Sequence, residues 1–131
     1  MALLTKEQIL RVKDIETRTV NVPEWGGDVL VRGMTGIERD AFEAKILDQS
    51  GKKTKVNLQN ARARLVSITV VDEEGNRLFT ENEIVLLGTK SATALSRVYD
   101  VAASLSGISD DDIEELLGNS EATTSGDSLS A

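Results

Sequence analysis

The stretch Val20-Asn-Val-Pro-Glu-Trp-Gly-Gly-Asp-Val-Leu-Val31 decides the fold class, because it predicts a β-hairpin in a chain otherwise patterned for helices. On each side of its centre, valines alternate with other residues, which is the period of a half-buried strand. The pair Gly26-Gly27 suits a tight two-residue turn, and that turn places Val22 opposite Val31. Pro23 has no amide hydrogen, so its strand is predicted to be an edge strand or to carry a bulge.

Helical periodicity flanks the hairpin on both sides. A short helix is predicted before it, from about Lys6 to Lys13, and five helical segments follow it. The apolar stripe after the hairpin is Met34, Ile37, Ala41, Ala44 and Leu47, widened by Phe42 and Ile46. The next stripe is Leu58, Ala61, Leu65, Ile68 and Val71, with Asn57 as its cap. Three later helices are predicted. The first runs from about Glu81 to a C-cap at Gly88, and the second contains Ala94 to Leu105 and ends at Gly107. The third runs from about Asp110 to Leu117.

Four capping boxes divide the chain into these helical segments. In such a box, a hydroxyl and a longer side chain three residues later satisfy exposed backbone amides reciprocally. The boxes are Thr5–Gln8, Thr35–Glu38, Thr80–Glu83 and the variant Ser109–Asp112. Between helices, the polar run from Asp72 to Asn76 predicts a turn.

The predicted fold class is α+β, a mainly helical single domain with an N-terminal β-hairpin and a disordered C-terminal tail. The domain is assigned to residues 1–118. The tail, residues 119–131, consists mostly of Ser, Thr, Gly, Ala and Asp, which cannot bury enough apolar surface to fold.

The composition excludes several classes of function. The 131 residues include no cysteine and no histidine, so thiolate catalysis, Cys-based zinc sites and the commonest neutral-pH general base are all excluded. Aromatic residues make up only 3%, and the net charge of −7 opposes binding to nucleic acid or to anionic membranes. No apolar segment follows a basic start, which predicts a cytosolic protein. We expect a binding protein without catalytic residues, cofactor or metal.

An acidic cluster precedes the tail and consists of Asp110, Asp111, Asp112, Glu114 and Glu115. It lacks the alternating spacing and the glycine of a calcium loop, so acids placed at the start of a helix, where they favour the dipole, explain it better. The neighbours Lys90 and Ser91 lack the surroundings of a nucleophile pair, and Ser91 is better explained as a helix start. For Trp25, core packing is favoured over an exposed anchor for a partner.

Charge is segregated along the chain. A basic stretch between Gln49 and Val71 contains no acid and has five cations, namely Lys52, Lys53, Lys55, Arg62 and Arg64; the remainder has 10 basic and 22 acidic residues. This is either a solvated face or a patch that meets the acidic cluster of another subunit. The second interpretation is a heterologous contact, which generates rings or helical filaments. RNA binding is a weaker alternative, since no stacking aromatics lie nearby.

The sequence resembles tail assembly chaperones of phages with long, non-contractile tails. The resemblance is carried by the run from Val22 through Pro-Glu-Trp-Gly-Gly to Asp40, by Leu65 to Phe79 and by the helical segment from Ser91 to Leu117. It implies a protein that coats the tape measure protein, recruits tail tube subunits and self-associates into spiral or helical assemblies. It also implies a protein of the host cytoplasm that is absent from the mature virion.

Three other functions stay open from the sequence. One is a structural head–tail connector or minor tail component, which would remain in the virion. The second is a small enzyme that relies on Asp, Glu, Ser or Lys. The third is a nucleic-acid-binding regulator, which salt-dependent retention on DNA would reveal.

Overall fold

The computed structural model describes residues 2–48, 55–56 and 60–108, and it confirms a mainly helical α+β domain. Its helices are α1 (Lys6–Arg11), α2 (Gly36–Ile46), α3 (Ala61–Thr69), α4 (Ile84–Leu87) and α5 (Ala92–Leu105). Its strands are β1 (Thr17–Val22), β2 (Gly27–Arg32), β3 (Leu47–Asp48), β4 (Lys55–Val56) and β5 (Val70–Val71). Short 3₁₀ turns occupy Pro23–Trp25 and Glu81–Glu83. One antiparallel sheet has the order β1-β2-β5, and β3 pairs with β4 separately.

The hairpin forms as predicted, but its register was wrong. Val22 pairs with Gly27 rather than with Val31. Pro23 starts the 3₁₀ turn, and Gly26, with φ +75°, closes it by donating its N–H to the Pro23 carbonyl at 3.0 Å. The connection is therefore longer than two residues. The predicted and observed registers differ by an even number of residues, so Val22 and Val31 still lie on the buried face of the sheet. Strand β1 is an edge strand, as the proline predicts.

The predicted second helical stripe runs into a strand. Helix α3 ends at Thr69, and Val70 and Val71 pair with Val31 and Leu30 as the third strand of the sheet. The interpretation of Val71 as helical was wrong, because cross-strand pairing overrides the local period. The N-cap position is Asn60, whose side chain makes no capping hydrogen bond, and Asn57 lies outside the described residues.

The C-terminal half of α3 is buried on all sides rather than along one stripe. Every residue from Leu65 to Thr69 is buried, including two with hydroxyls. The Ser67 hydroxyl donates to the Arg64 carbonyl at 2.7 Å and that of Thr69 to the Leu65 carbonyl at 2.8 Å. Each hydroxyl is thus satisfied within its own helix, which removes the cost of burying it.

Helix α2 buries only the two residues that widen its predicted stripe, and not the stripe's central positions. Phe42 and Ile46, four residues apart, are buried, whereas Ile37, Ala41 and Ala44 are exposed. The predicted stripe was phased from Met34, which is buried but precedes the helix. A stripe counted from Met34 therefore does not coincide with the buried face of α2. The side chain of Leu47 lies outside the described part.

Helix α5 completes the core. It packs on α3 and on the hairpin, and its buried residues are Ala94, Leu95, Val98, Tyr99, Ala102 and Ala103. Ser91 caps it, accepting from the Ala94 N–H at 3.2 Å, as predicted. Past its end, Gly107 has φ +75° and Ile108 donates back to the Ala103 carbonyl at 2.8 Å. This glycine-terminated cap buries Ile108 against the core.

Three of the four capping boxes form. Thr5 with Gln8, Thr35 with Glu38 and Thr80 with Glu83 exchange the expected hydrogen bonds, and each begins a helix or 3₁₀ turn. Helix α1 ends at Arg11, two residues before the predicted end. The turn at Asp72 is confirmed by its carboxylate, which accepts from two backbone amides at 2.9 Å. The box at Ser109, the helix predicted after it and the tail lie outside the described residues.

Candidate protein-interaction surfaces

Exposed apolar side chains are concentrated in two places. In the described part of the chain, ten large hydrophobic side chains are exposed, and six of them belong to residues 3–15. No residue of α1 is buried, and Leu10 is 76% exposed. A second group is on α4, where Val85 and Leu86 are 67% and 66% exposed although Ile84 and Leu87 are buried. The first group lies in and around α1, which has no buried residue, whereas α4 is held to the core by its two buried side chains.

An apolar groove lies beside α4. Its volume is about 400 Å³, and it is lined by Trp25, Phe79, Glu83, Leu86, Leu87 and Lys90. Trp25 packs against the core, as the sequence favours, while also forming one wall of the groove. The Trp25 Nε1 atom is buried and has no hydrogen-bond acceptor in the described residues. The groove is therefore a mainly apolar surface whose polar lining residues are Glu83 and Lys90.

An ion pair fixes the 3₁₀ turn that carries Trp25. Arg97 of α5 donates to both carboxylate oxygens of Glu24, at 2.8 and 3.3 Å. This hydrogen bonding holds the pKa of the Glu24 carboxyl below its ordinary value of 4.5 and raises the pKa of Arg97. The pair joins the hairpin tip to α5, so the Trp25 wall is held against the helical layer.

The basic stretch is only partly available for a partner. Arg64 forms an ion pair with Glu81 of its own chain at 2.6 Å. Arg62 is exposed, and its guanidinium carbon lies 5.4 Å from the Tyr99 ring centroid, a cation–π contact. Lys52 and Lys53 lie outside the described residues, and of Lys55 only the backbone, in β4, is described. The structure therefore does not bring the five cations together as one described site.

The acidic cluster of Asp110, Asp111, Asp112, Glu114 and Glu115 lies wholly outside the described residues. Within the described ranges, no three Asp or Glu residues are grouped so that they would hold a metal ion. In the same ranges, no helix has both the length and the apolar character needed to cross a bilayer.

Comparison with known proteins identifies the family. The family model for the phage tail assembly chaperone matches residues 6–117, most of the chain. The chain belongs to this family. Tail assembly chaperones act in assembly and not in catalysis, which agrees with the binding role that the composition indicates. No curated protein shows significant sequence similarity to the chain.

The fold is shared with a solved tail assembly chaperone. The structure of the bacteriophage HK97 tail assembly chaperone superposes with a TM-score of 0.55 at 20% sequence identity. The superposition covers 79% of this chain and 95% of the HK97 chain. At this identity the likeness establishes the chaperone fold alone.

Sequence reasoning missed both the exposed arm and the groove. Helix α1 was predicted, but a capping box does not tell whether the helix packs on the domain. The groove joins the hairpin tip to residues more than fifty positions later, so no local pattern reveals it. One signal was present: Ile84-Val-Leu-Leu87 is apolar throughout, and a four-residue helix cannot bury all four side chains.

Proposed function

We propose that this chaperone coats the tape measure protein and recruits tail tube subunits during tail morphogenesis, and that it self-associates along its client. It would act in the host bacterial cytoplasm and leave before the virion is complete. The observation that supports this most strongly is the exposure of ten large hydrophobic side chains among the described residues of a domain that already has a buried core. Monomeric proteins rarely expose contiguous apolar surface without a binding role.

The physical properties of the chain fit a coating protein. A tape measure protein is a very long helical chain, and its apolar faces favour aggregation until a tube encloses them. A coat must offer apolar surface of its own while remaining in solution. The net charge of −7 opposes aggregation of the coated complex. Since the domain shows no catalytic machinery in the described residues, displacement by tail tube subunits would release it.

The test is co-expression of the cognate tape measure protein with this chain. We expect the tape measure protein to stay in the soluble fraction and to co-purify with the chaperone at low salt. The matched control is Phe42→Asp, which places a charge at a site only 1% exposed and should unfold the domain. If the tape measure protein precipitates equally with the wild type and with this control, coating is refuted.

A head–tail connector or minor tail component is the rival function. Mass spectrometry of purified virions separates the two, because a connector stays in the particle and a chaperone leaves it. Recovery of this chain in the virion, at a fixed ratio to the other tail proteins, would establish the rival.

A further inference from the structure

The N-terminal arm, residues 2–13, contains a helix that is not buried against the other described parts of the domain. Every residue of the arm is exposed, yet α1 is formed over Lys6–Arg11 with a complete capping box at Thr5. Isolated helices shorter than about 12 residues are marginal in water, because nucleation costs more than a few hydrogen bonds return. The arm also exposes Leu4, Ile9 and Leu10, which would lower its free energy by packing on an apolar surface.

The groove beside α4 has the chemistry to receive such a helix. Its walls are mainly aromatic and aliphatic, and its volume of about 400 Å³ lies in the range of pockets that bury a drug-sized ligand. Trp25, Phe79, Leu86 and Leu87 supply the apolar part of the lining, which suits the leucine and isoleucine side chains of the arm.

Charge is complementary between the arm and the segment that carries the groove. The arm has three cations, Lys6, Arg11 and Lys13, and one anion, Glu7, which gives it a net charge of +2. The groove lining itself has one acid, Glu83, and one base, Lys90, whereas the longer segment that supplies most of it, residues 72–90, has five acids and two bases, a net charge of −3. Opposite charge favours this encounter and opposes docking of one arm on another.

The arm and the groove lie at opposite ends of the hairpin. The Gly33 N–H donates to the Glu16 carbonyl at 3.0 Å, so pairing with β2 holds the backbone in place just before β1. Trp25 follows the other end of β1. At about 3.3 Å per residue, roughly 20 Å of strand separates Glu16 from Val22. Because the arm leaves the domain at one end of β1 and the groove lies at the other end, the arm of one copy is well placed to bind the groove of another copy.

We infer that the arm of one copy docks in the groove of the next copy, with α1 along α4 and against Trp25. This inference rests on the proposed self-association and assigns a surface to it. Because the arm and the groove are different surfaces, the contact is heterologous and leaves a free arm and a free groove at the two ends. Repetition of the contact therefore builds a helical row or a ring of chaperones.

Cross-linking tests the contact directly, because the chain contains no native cysteine. The double variant Leu10→Cys/Leu86→Cys is treated with a short bis-maleimide and separated on a denaturing gel. Arm-to-groove docking predicts a ladder of covalent dimers, trimers and larger species. The matched control is Leu10→Cys/Ile37→Cys, since Ile37 is exposed on α2 and does not line the groove. A ladder no stronger than the control, or cross-links only within monomers, overturns the inference.

Sedimentation velocity supplies a second measurement that does not depend on cross-linking. Leu10→Asp and Leu86→Asp should each lower the association constant at least about tenfold, because each removes a buried leucine from the contact. Neither should change the thermal midpoint of the monomer, since both side chains are exposed in one chain. Association equal to that of the wild type in both variants overturns the inference.

The outcomes separate this inference from the proposed function. If both variants assemble normally and keep the tape measure protein soluble, the docking surface is wrong and coating stands. If Leu10→Asp assembles normally but no longer solubilises the tape measure protein, the arm binds the client, and the inference is wrong. If the wild type stays monomeric at every concentration, the inference fails, and co-expression alone decides whether the chaperone coats its client.

Discussion

Arg32 and Glu38 form a two-pronged ion pair, in which two guanidinium nitrogens each donate to one carboxylate oxygen at 2.7 Å. The same carboxylate accepts from the Thr35 N–H at 2.9 Å and so completes a capping box. Arg32 also donates to the Gly33 carbonyl at 2.8 Å. The pair therefore fixes the angle at which the chain leaves β2 and enters α2. Hydrogen bonding from Arg32 holds the pKa of the Glu38 carboxyl below its ordinary value of 4.5.

Replacement of this carboxylate should destabilise the domain. We expect Glu38→Gln to lower the free energy of unfolding by about 1 kcal/mol and Glu38→Ala by about 1–2 kcal/mol, since alanine also removes the cap. Urea denaturation at neutral pH measures both. Glu43→Gln is the control, because the Arg39–Glu43 pair has a single contact at 3.3 Å and is more exposed, which predicts almost no change.

The contribution of Glu38 should depend on pH. A carboxyl whose pKa is lower in the folded state stabilises the fold above the unfolded pKa, and this stabilisation is lost as pH falls through the folded pKa. The difference between wild type and Glu38→Gln should therefore be constant above about pH 5 and shrink below the ordinary pKa of 4.5. A difference that grew on acidification would contradict this assignment.

Gly33 should not tolerate a side chain. A Cβ at this position would lie 2.5 Å from the Leu105 carbonyl oxygen, near the end of α5. The Cβ is fixed to the backbone of Gly33, and the Leu105 oxygen is itself a backbone atom, so neither can rotate away. Relief of the clash therefore requires the hairpin and α5 to separate. We expect Gly33→Ala to cost about 1–3 kcal/mol in urea denaturation. Gly27→Ala is the control, because a Cβ there meets nothing within 4 Å. Equal stability of the two variants would show that this approach of strand to helix is not tight.

Local chemistry made parts of this fold predictable from sequence. The boxes at Thr5, Thr35 and Thr80 depend on residues three positions apart, and all three form. The alternating valines correctly placed the buried face of the hairpin. Both kinds of signal are contained within one element, so they do not depend on how the elements pack.

Other parts depend on contacts that a sequence pattern does not contain. Val70 and Val71 continue the helical period of α3, and only pairing with β2 makes them a strand. The register of the hairpin depended on the 3₁₀ turn that starts at Pro23. The groove unites Trp25 with residues of α4 through the packing of α5 and the core. Each of these features required the tertiary structure.

Removal of the tail, residues 119–131, should leave the fold intact. The segment has almost no apolar residues, so little burial is lost with it. Thermal melts of the full-length and truncated chains should agree within about 2 °C. Ile108→Asp is the positive control, since its side chain is 5% exposed and its loss should lower the midpoint visibly. A drop of many degrees on truncation would show that the tail is docked on the domain.

Charge reversal in the basic stretch should weaken self-association. Arg64 is engaged with Glu81 and Arg62 lies over Tyr99, so the lysines at 52, 53 and 55 are the better candidates for meeting the acidic cluster of another copy. We expect Lys52→Glu/Lys53→Glu to raise the concentration at which light scattering detects assembly, and addition of Lys55→Glu to raise it further.

The control must separate this local contact from the effect of total charge. Arg18→Glu/Lys45→Glu changes the net charge from −7 by the same amount, at two exposed positions outside the basic stretch. Salt screens exposed pairs over about 10 Å at 0.1 M, so the difference between the two double variants should be largest at low salt and small at about 1 M.

Equal weakening in both would attribute the effect to general repulsion, and the lysines would then have no specific role. A specific loss in the first variant alone, reversed by Asp111→Lys/Asp112→Lys on a second copy, would identify the acidic cluster as the partner surface.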